Sequence, residues 1–150
     1  MKILIIGCVG SGKSTYAKKL SKELNIKRYE IDSIVHDDIE NRKRTEEEQK
    51  NIIDKINKNE SWIIEGTLRK NLYYLLEMAD KIIFIDTPYN VRKRRIIKRF
   101  IKQKLKIEKC NYKPTLEMLK MMFIWNKEFE DERDKFIEIL NKYNSKLEII

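Results

Sequence analysis

Several residue types are scarce in this chain, and each scarcity excludes something. Its 150 residues include only two cysteines, two prolines, four glycines and one histidine. Cys8 and Cys110 lie far apart in sequence, which provides neither a disulfide framework nor a metal-ligand spacing and suits a reducing, cytoplasmic setting. The lone histidine, His36, sits in a polar stretch beside Asp37 and Asp38 and is not expected to be catalytic. No run approaches the roughly 18 apolar residues that a membrane span needs, and an apolar strand pattern starts at the N-terminus, so neither a signal peptide nor a membrane partner is expected. Internal repeats, low-complexity linkers and composition shifts are also missing, so residues 1–150 are expected to form one domain. At 41% hydrophobic residues, the composition is that of a chain that buries a core.

Because glycine is rare, its placement is informative. Three of the four fall in Gly7-Cys8-Val9-Gly10-Ser11-Gly12-Lys13-Ser14-Thr15. This is the pattern G-x-x-x-x-G-K-[ST], and it follows the apolar run Lys2-Ile3-Leu4-Ile5-Ile6 directly. A strand that turns sharply into a helix can aim its backbone N–H groups inward at phosphate oxygens, and glycine permits the necessary dihedrals and close approach. The pattern predicts a nucleoside-triphosphate cradle made of Gly7, Gly10, Ser11, Gly12, Lys13, Ser14 and Thr15. Lys13 would reach the β- and γ-phosphates and Ser14 would offer a hydroxyl to Mg²⁺. The following helix, Ser14 to Asn25, would point its positive end at the anion.

Charge is localised as well. The whole chain carries +9, and Val91 to Lys109 holds ten Lys/Arg against Glu108 alone, so this one segment accounts for the excess. Such a segment can contact nucleotide phosphates or nucleic acid, although most of its lysines read as a solvated helix face.

Strand and helix patterns alternate along the chain. Lys27 to Ile31 reads as a short strand ending at Asp32, Trp62 to Ile64 as one ending at Glu65-Gly66, Lys81 to Ile85 as one ending at Asp86, and Lys146 to Ile150 as a fifth. Thr45-Glu46-Glu47-Glu48 is a capping box opening a helix whose Ile52, Ile53 and Ile56 share a face. Pro88 is placed to start the basic helix, and Pro114 the helix running to about Tyr143. This alternation predicts a three-layer α/β/α fold with a parallel sheet of about five strands and its ligand at the strands' carboxyl ends. Asp32, Glu65 and Asp86 would then share the edge of the phosphate loop, as holders of Mg²⁺ and its waters or acceptors for a substrate hydroxyl.

Two segments carry a family resemblance. Glu65-Gly66-Thr67-Leu68-Arg69 resembles the D-G-x-P-R segment of adenylate kinase and other nucleoside monophosphate kinases, with Leu68 in place of proline and Glu65 in place of aspartate. Asp86-Thr87-Pro88 through Arg95 and Arg99 resembles the family's fourth strand, D-x-P turn and arginine-bearing helix. The resemblance implies that Glu65 supports Mg²⁺, Arg69 binds phosphate, Arg95 lies against the nucleotide base and Arg99 contacts the transferring phosphates. Gly7 to Thr15, Asp32, Trp62 to Gly66, Asp86 to Pro88, Arg92 to Arg99 and Trp125-Asn126, in this order, are also similar to a group of small adenylate-kinase-like P-loop proteins named for DNA topology modulation.

The resulting expectation is a P-loop phosphotransferase that uses Mg-ATP and a small acceptor: a nucleotide, nucleoside or hydroxylated metabolite. Lys13, Asp32, Arg69, Arg95 and Arg99 are the expected catalytic residues, and Ser14 and Glu65 the metal-side residues. Residues of about 100–125 would form a short helical lid, with Arg92 and Arg133 as further arginines on the lid side and Arg42 and Arg44 near an acceptor phosphate. Met118, Met121, Met122, Phe123 and Trp125 read as core or lid packing, and Tyr73 and Tyr74 as packing for a short helix. The alternative is an ATP-dependent regulatory or nucleic-acid-binding protein that uses segment 91–109. A monomer and a homodimer are both compatible with the sequence.

Overall fold

The computed structural model describes residues 1–109 and 112–150; Cys110 lies outside them. In chain order the elements are β1 (Lys2–Gly7), α1 (Lys13–Leu24), β2 (Arg28–Glu30), α2 (Ile31–Val35), β3 (His36–Asp37), β4 (Arg42–Lys43), α3 (Glu46–Asn57), β5 (Trp62–Gly66), α4 (Tyr74–Met78), β6 (Lys81–Ile85), α5 (Tyr89–Lys104), α6 (Leu116–Asn141) and β7 (Leu147–Ile149). Strands β2, β5, β1, β6 and β7 form a five-stranded sheet in that spatial order, with every pairing parallel. Both faces of such a sheet need cover, which explains why its central strands are almost continuously apolar.

Alternation along the strands divides the core in two. Leu4, Ile6, Ile64, Ile82 and Phe84 face a large cluster that includes residues of α2, α3, α4 and α6, whereas Ile3, Ile5, Ile63, Ile83 and Ile85 pack with Ala17, Tyr16 and Leu20 of α1. Phe84, Phe129 and Phe136 meet at centroid distances of 5.5–6.2 Å, pinning α6 to the sheet. The result is the expected three-layer α/β/α arrangement. Tyr73 and Tyr74 pack against the larger cluster, as expected.

Local signals read from the sequence take their expected form. Thr45 accepts from the Glu48 amide while the Glu48 side chain accepts from the Thr45 amide, completing the capping box of α3. Asn25 ends α1 in the left-handed conformation, as Asn tolerates. One stretch differs from expectation: the second strand stops at Glu30, and Ile31 opens α2 instead of extending it. A hairpin of β3 and β4 follows, and the Arg44 guanidinium satisfies the carbonyls of Ser33, Ile34 and His36. Strands of two residues leave no periodicity to read, which is why the sequence did not reveal them.

The arginines expected near an acceptor phosphate are engaged elsewhere. Arg42 pairs with Glu40 and Glu48, and Arg44 holds the hairpin carbonyls and Asp37. Both exist in these positions because they close the turn between α2 and α3. Arg92, expected on the lid side, is only 1% exposed: it pairs with Glu130 and stacks on Phe129, joining α5 to α6. The methionine and aromatic group of α6 is only partly packed, with Met118, Met122 and Phe123 half-buried and Met121 and Trp125 exposed.

A buried guanidinium costs most when its partner is removed alone. Glu130→Ala is expected to lower stability by about 2 kcal/mol, a figure reduced for the partial exposure of Glu130. The double change Arg92→Met with Glu130→Leu is expected to cost less than the single one. Urea unfolding of the three proteins checks both statements.

Candidate functional site

The site grows from the turn between β1 and α1. Gly10 and Gly12 have φ of 76° and 96°, in the left-handed region where a side chain is strained. A Cβ on Gly10 would also meet the Arg92 carbonyl at 2.8 Å. The loop is held from three sides. Thr67 Oγ1 donates to the Gly7 carbonyl at 3.2 Å, Thr87 Oγ1 to the Ser11 carbonyl at 2.8 Å, and Arg95 Nη1 to the same carbonyl at 2.7 Å. These donors fix the Gly7 and Ser11 carbonyls, and the Ser11 amide closes the turn on the Cys8 carbonyl at 3.2 Å. Ser11 is buried and its hydroxyl has no partner among the described residues.

Lys13 begins α1, and its ammonium donates to the Cys8 carbonyl at 3.3 Å. Burial lowers its pKa most, while the charges of Glu65 and Asp32 raise it and that of Arg99 lowers it. These three expected site residues therefore act electrostatically on one ammonium. Ser14 Oγ donates to Glu65 Oε2 at 3.1 Å, and Arg28 Nη1 donates to Glu65 Oε1 at 2.8 Å. Glu65 is buried at the carboxyl end of β5, and burial raises its carboxyl above the ordinary value against the pull of Ser14, Lys13 and Arg28. Ser14 and Glu65 together present hard oxygen donors beside the loop, which fits a magnesium ion that takes its remaining ligands from phosphate and water. Thr15 is exposed on the first turn of α1.

Asp32 lies in the first turn of α2, 73% exposed, and accepts from Arg69 Nη2 at 3.3 Å. Arg99 is half-exposed and paired with Glu108 at 3.4 Å. Asp86 differs from expectation. It does not join the other carboxylates, because Arg133 of α6 grips both its oxygens, with Nε to Oδ1 at 2.9 Å. One ion pair thus engages both a predicted carboxylate and a predicted arginine. Cys8 is buried and its thiol lies against Asn126 Oδ1 at 3.9 Å; burial pushes that thiol's pKa up, away from the thiolate that oxidation requires. His36 is exposed in the hairpin.

Sequence reasoning missed Arg28, Thr67 and Thr87 as loop and carboxylate supports. The threonines stand inside Glu65-Gly66-Thr67 and Asp86-Thr87-Pro88, and their hydroxyls were the available signal. Arg28 had none, since its role depends on β2 pairing with β5 so that Glu30 stands opposite Glu65.

The fold is that of P-loop kinases: a parallel five-stranded sheet between helices, with the glycine loop after its central strand. A family profile described as an AAA domain matches residues 3–112, and the chain belongs to that family of P-loop NTPases. Two solved structures share its fold. One is a deoxyadenosine kinase from M. mycoides with bound dATP, at 17% identity and a TM-score of 0.53, covering 100% of this chain and 90% of that one. The other is a shikimate kinase from Bacteroides thetaiotaomicron, at 17% identity and a TM-score of 0.57, covering 92% and 82%. No curated protein sequence matches the chain.

The raised Glu65 carboxyl has a signed consequence for stability. From about the ordinary value of 4.5 up to its raised value, the folded chain binds this proton more than the unfolded chain does, so stability from Glu65 falls as pH rises. Glu65→Gln removes that dependence. The variant is expected to gain stability relative to the parent as the pH rises above about 4.5 in magnesium-free urea titrations. A change of the opposite sign would mean that Arg28 and Ser14 outweigh burial.

Proposed function

We propose that this chain is a kinase that transfers the γ-phosphoryl group of ATP to a small acceptor hydroxyl or phosphate, acting as one domain over residues 1–150. The observation that carries the reading is the buried Lys13 ammonium on the glycine loop, within the electrostatic reach of Glu65, Asp32 and Arg99, with Arg95 hydrogen-bonded to the loop itself. Phosphoryl transfer requires positioning and charge neutralisation more than covalent help from protein, and these groups supply both.

In this reading the loop amides and Lys13 hold the β- and γ-phosphates. Lys13 exchanges its Cys8 carbonyl for phosphate oxygens, an exchange aided by the weak hold of that carbonyl. Ser14 and Glu65 would hold Mg²⁺, which when bound neutralises charge on the phosphates. Asp32 stands where it can accept the acceptor's proton, and Arg69 both orients Asp32 and offers a cation to an acceptor anion. As the acceptor oxygen bonds to the γ-phosphorus, the bond from that phosphorus to the bridging oxygen breaks, ADP leaves, and the acceptor proton passes to Asp32. Arg95 and Arg99, both on α5, face the charge that moves. The end of α5, the connection after it and the start of α6, about residues 100–125, serve as a helical lid that excludes water. Nucleotides, nucleosides and small hydroxylated metabolites are the acceptor classes that this arrangement admits.

ADP formation from Mg-ATP, measured against a panel of nucleoside monophosphates, nucleosides and small alcohols, tests the proposal. Acceptor-dependent turnover is expected, falling by about 10²–10³-fold in Lys13→Ala. In Asp32→Asn, kcat is expected to fall by about 10²-fold or more with ATP affinity retained. Tight ATP binding with no acceptor-dependent turnover on the panel would overturn the kinase reading.

A further inference from the structure

Helix α5 has two unlike sides. Its inward side carries Arg92, Ile96 and Gln103, all buried, and its flank sends Arg95 to the glycine loop. On the opposite side Ile97, Ile101 and Leu105 recur every four residues, which places them in one stripe. Their exposure rises along the helix, from 39% at Ile97 to 50% at Ile101 and 64% at Leu105, and reaches 70% at Ile107 just beyond its end. This stripe is therefore not core that the sequence pattern happens to share; it faces outward and protrudes most at the far end of the helix.

The polar residues beside the stripe are all cations. Arg94, Lys98 and Lys102 line the same shallow groove of about 410 Å³ as the apolar residues, and Lys93 and Lys104 lie on the helix's other flank. None of these five makes an ion pair among the described residues, and α5 contains no acid. By contrast, the remaining arginines of α5 have partners: Arg92 has Glu130, Arg95 the loop and Arg99 Glu108.

The chemistry of this face narrows what could cover it. A second copy meeting it face to face would oppose cations to cations. A nucleic-acid backbone would satisfy the cations but leave the Ile97-Ile101-Leu105 stripe against phosphates. A surface with anionic groups above an apolar layer satisfies both, and basic amphipathic helices have this match with lipid headgroups and acyl chains. We propose that the outward face of α5 docks the protein on an anionic lipid surface, with the helix lying in the interfacial plane and its Leu105 end seated deepest. No helix of the described residues is long and apolar enough to span a membrane, and an interfacial position requires no span. Arg95 and the glycine loop lie on other sides of α5, so docking leaves the nucleotide site open.

Vesicle flotation tests this. The full chain is mixed with phosphatidylcholine vesicles containing about 30 mol% phosphatidylglycerol, with pure phosphatidylcholine vesicles as comparison. Binding to the anionic vesicles is expected, falling several-fold in about 0.5 M salt and at least about tenfold in the double variant Ile97→Asp with Ile101→Asp. A second variant, Lys98→Gln with Lys102→Gln, is expected to weaken binding without altering the stripe, and both variants should retain the parent's thermal unfolding. The proposal is overturned if the anionic vesicles do not bind, if the aspartate variant binds as well as the parent while folded, or if duplex DNA binds more tightly and is indifferent to the aspartates.

Discussion

The structure depends on one turn of backbone. Between β1 and α1 the chain must reverse within a few residues, with the Ser11 amide closing on the Cys8 carbonyl while the Gly7 and Ser11 carbonyls find side-chain donors elsewhere. Gly10 and Gly12 supply the left-handed dihedrals; Thr67, Thr87 and Arg95 supply the donors. These three come from the segments after β5 and β6 and from α5, so the turn is tied to both of the strands flanking β1. A Cβ on Gly7 would meet Ser11 Oγ at 2.6 Å and the Ile85 carbonyl at 3.0 Å, which shows how closely the loop is fitted to β6.

The parallel sheet order then decides which side chains reach the loop. With β5 and β6 on either side of β1, the residues at their carboxyl ends are brought to the turn without any local sequence relation to it. Glu65 arrives beside Ser14 in this way. Asp86 arrives at the same edge of the sheet, yet α6 crosses there and Arg133 takes it. The same helix buries Arg92 against Phe129 and Glu130, so α6 turns one arginine of the basic segment into a fastening of the fold.

Much of this was legible in the sequence for physical reasons. The glycine loop could be read because few residues tolerate its dihedrals, the strands because buried parallel strands are continuous apolar runs, and the start of α3 because a capping box is a local interaction. Glu65 could be placed because strand ends and ligand sites coincide in such sheets. What could not be read depended on pairs distant in sequence: Arg133 with Asp86, Arg92 with Glu130 and Arg28 with Glu65. An arginine suited to phosphate is equally suited to a carboxylate, and only the packing of α5 against α6 distinguishes them. The short hairpin of β3 and β4 was hidden for a different reason, since its pairing is too brief to impose a pattern.

The account rests most directly on the claim that the turn is a preformed phosphate cradle whose shape requires glycine at position 10. Calorimetric titration of Mg-ATP into the parent and into Gly10→Ala tests it. The methyl group would sit at a left-handed φ and press on the Arg92 carbonyl, so affinity is predicted to fall by about tenfold or more with the fold retained by thermal unfolding. An unchanged affinity in the folded variant would contradict the account.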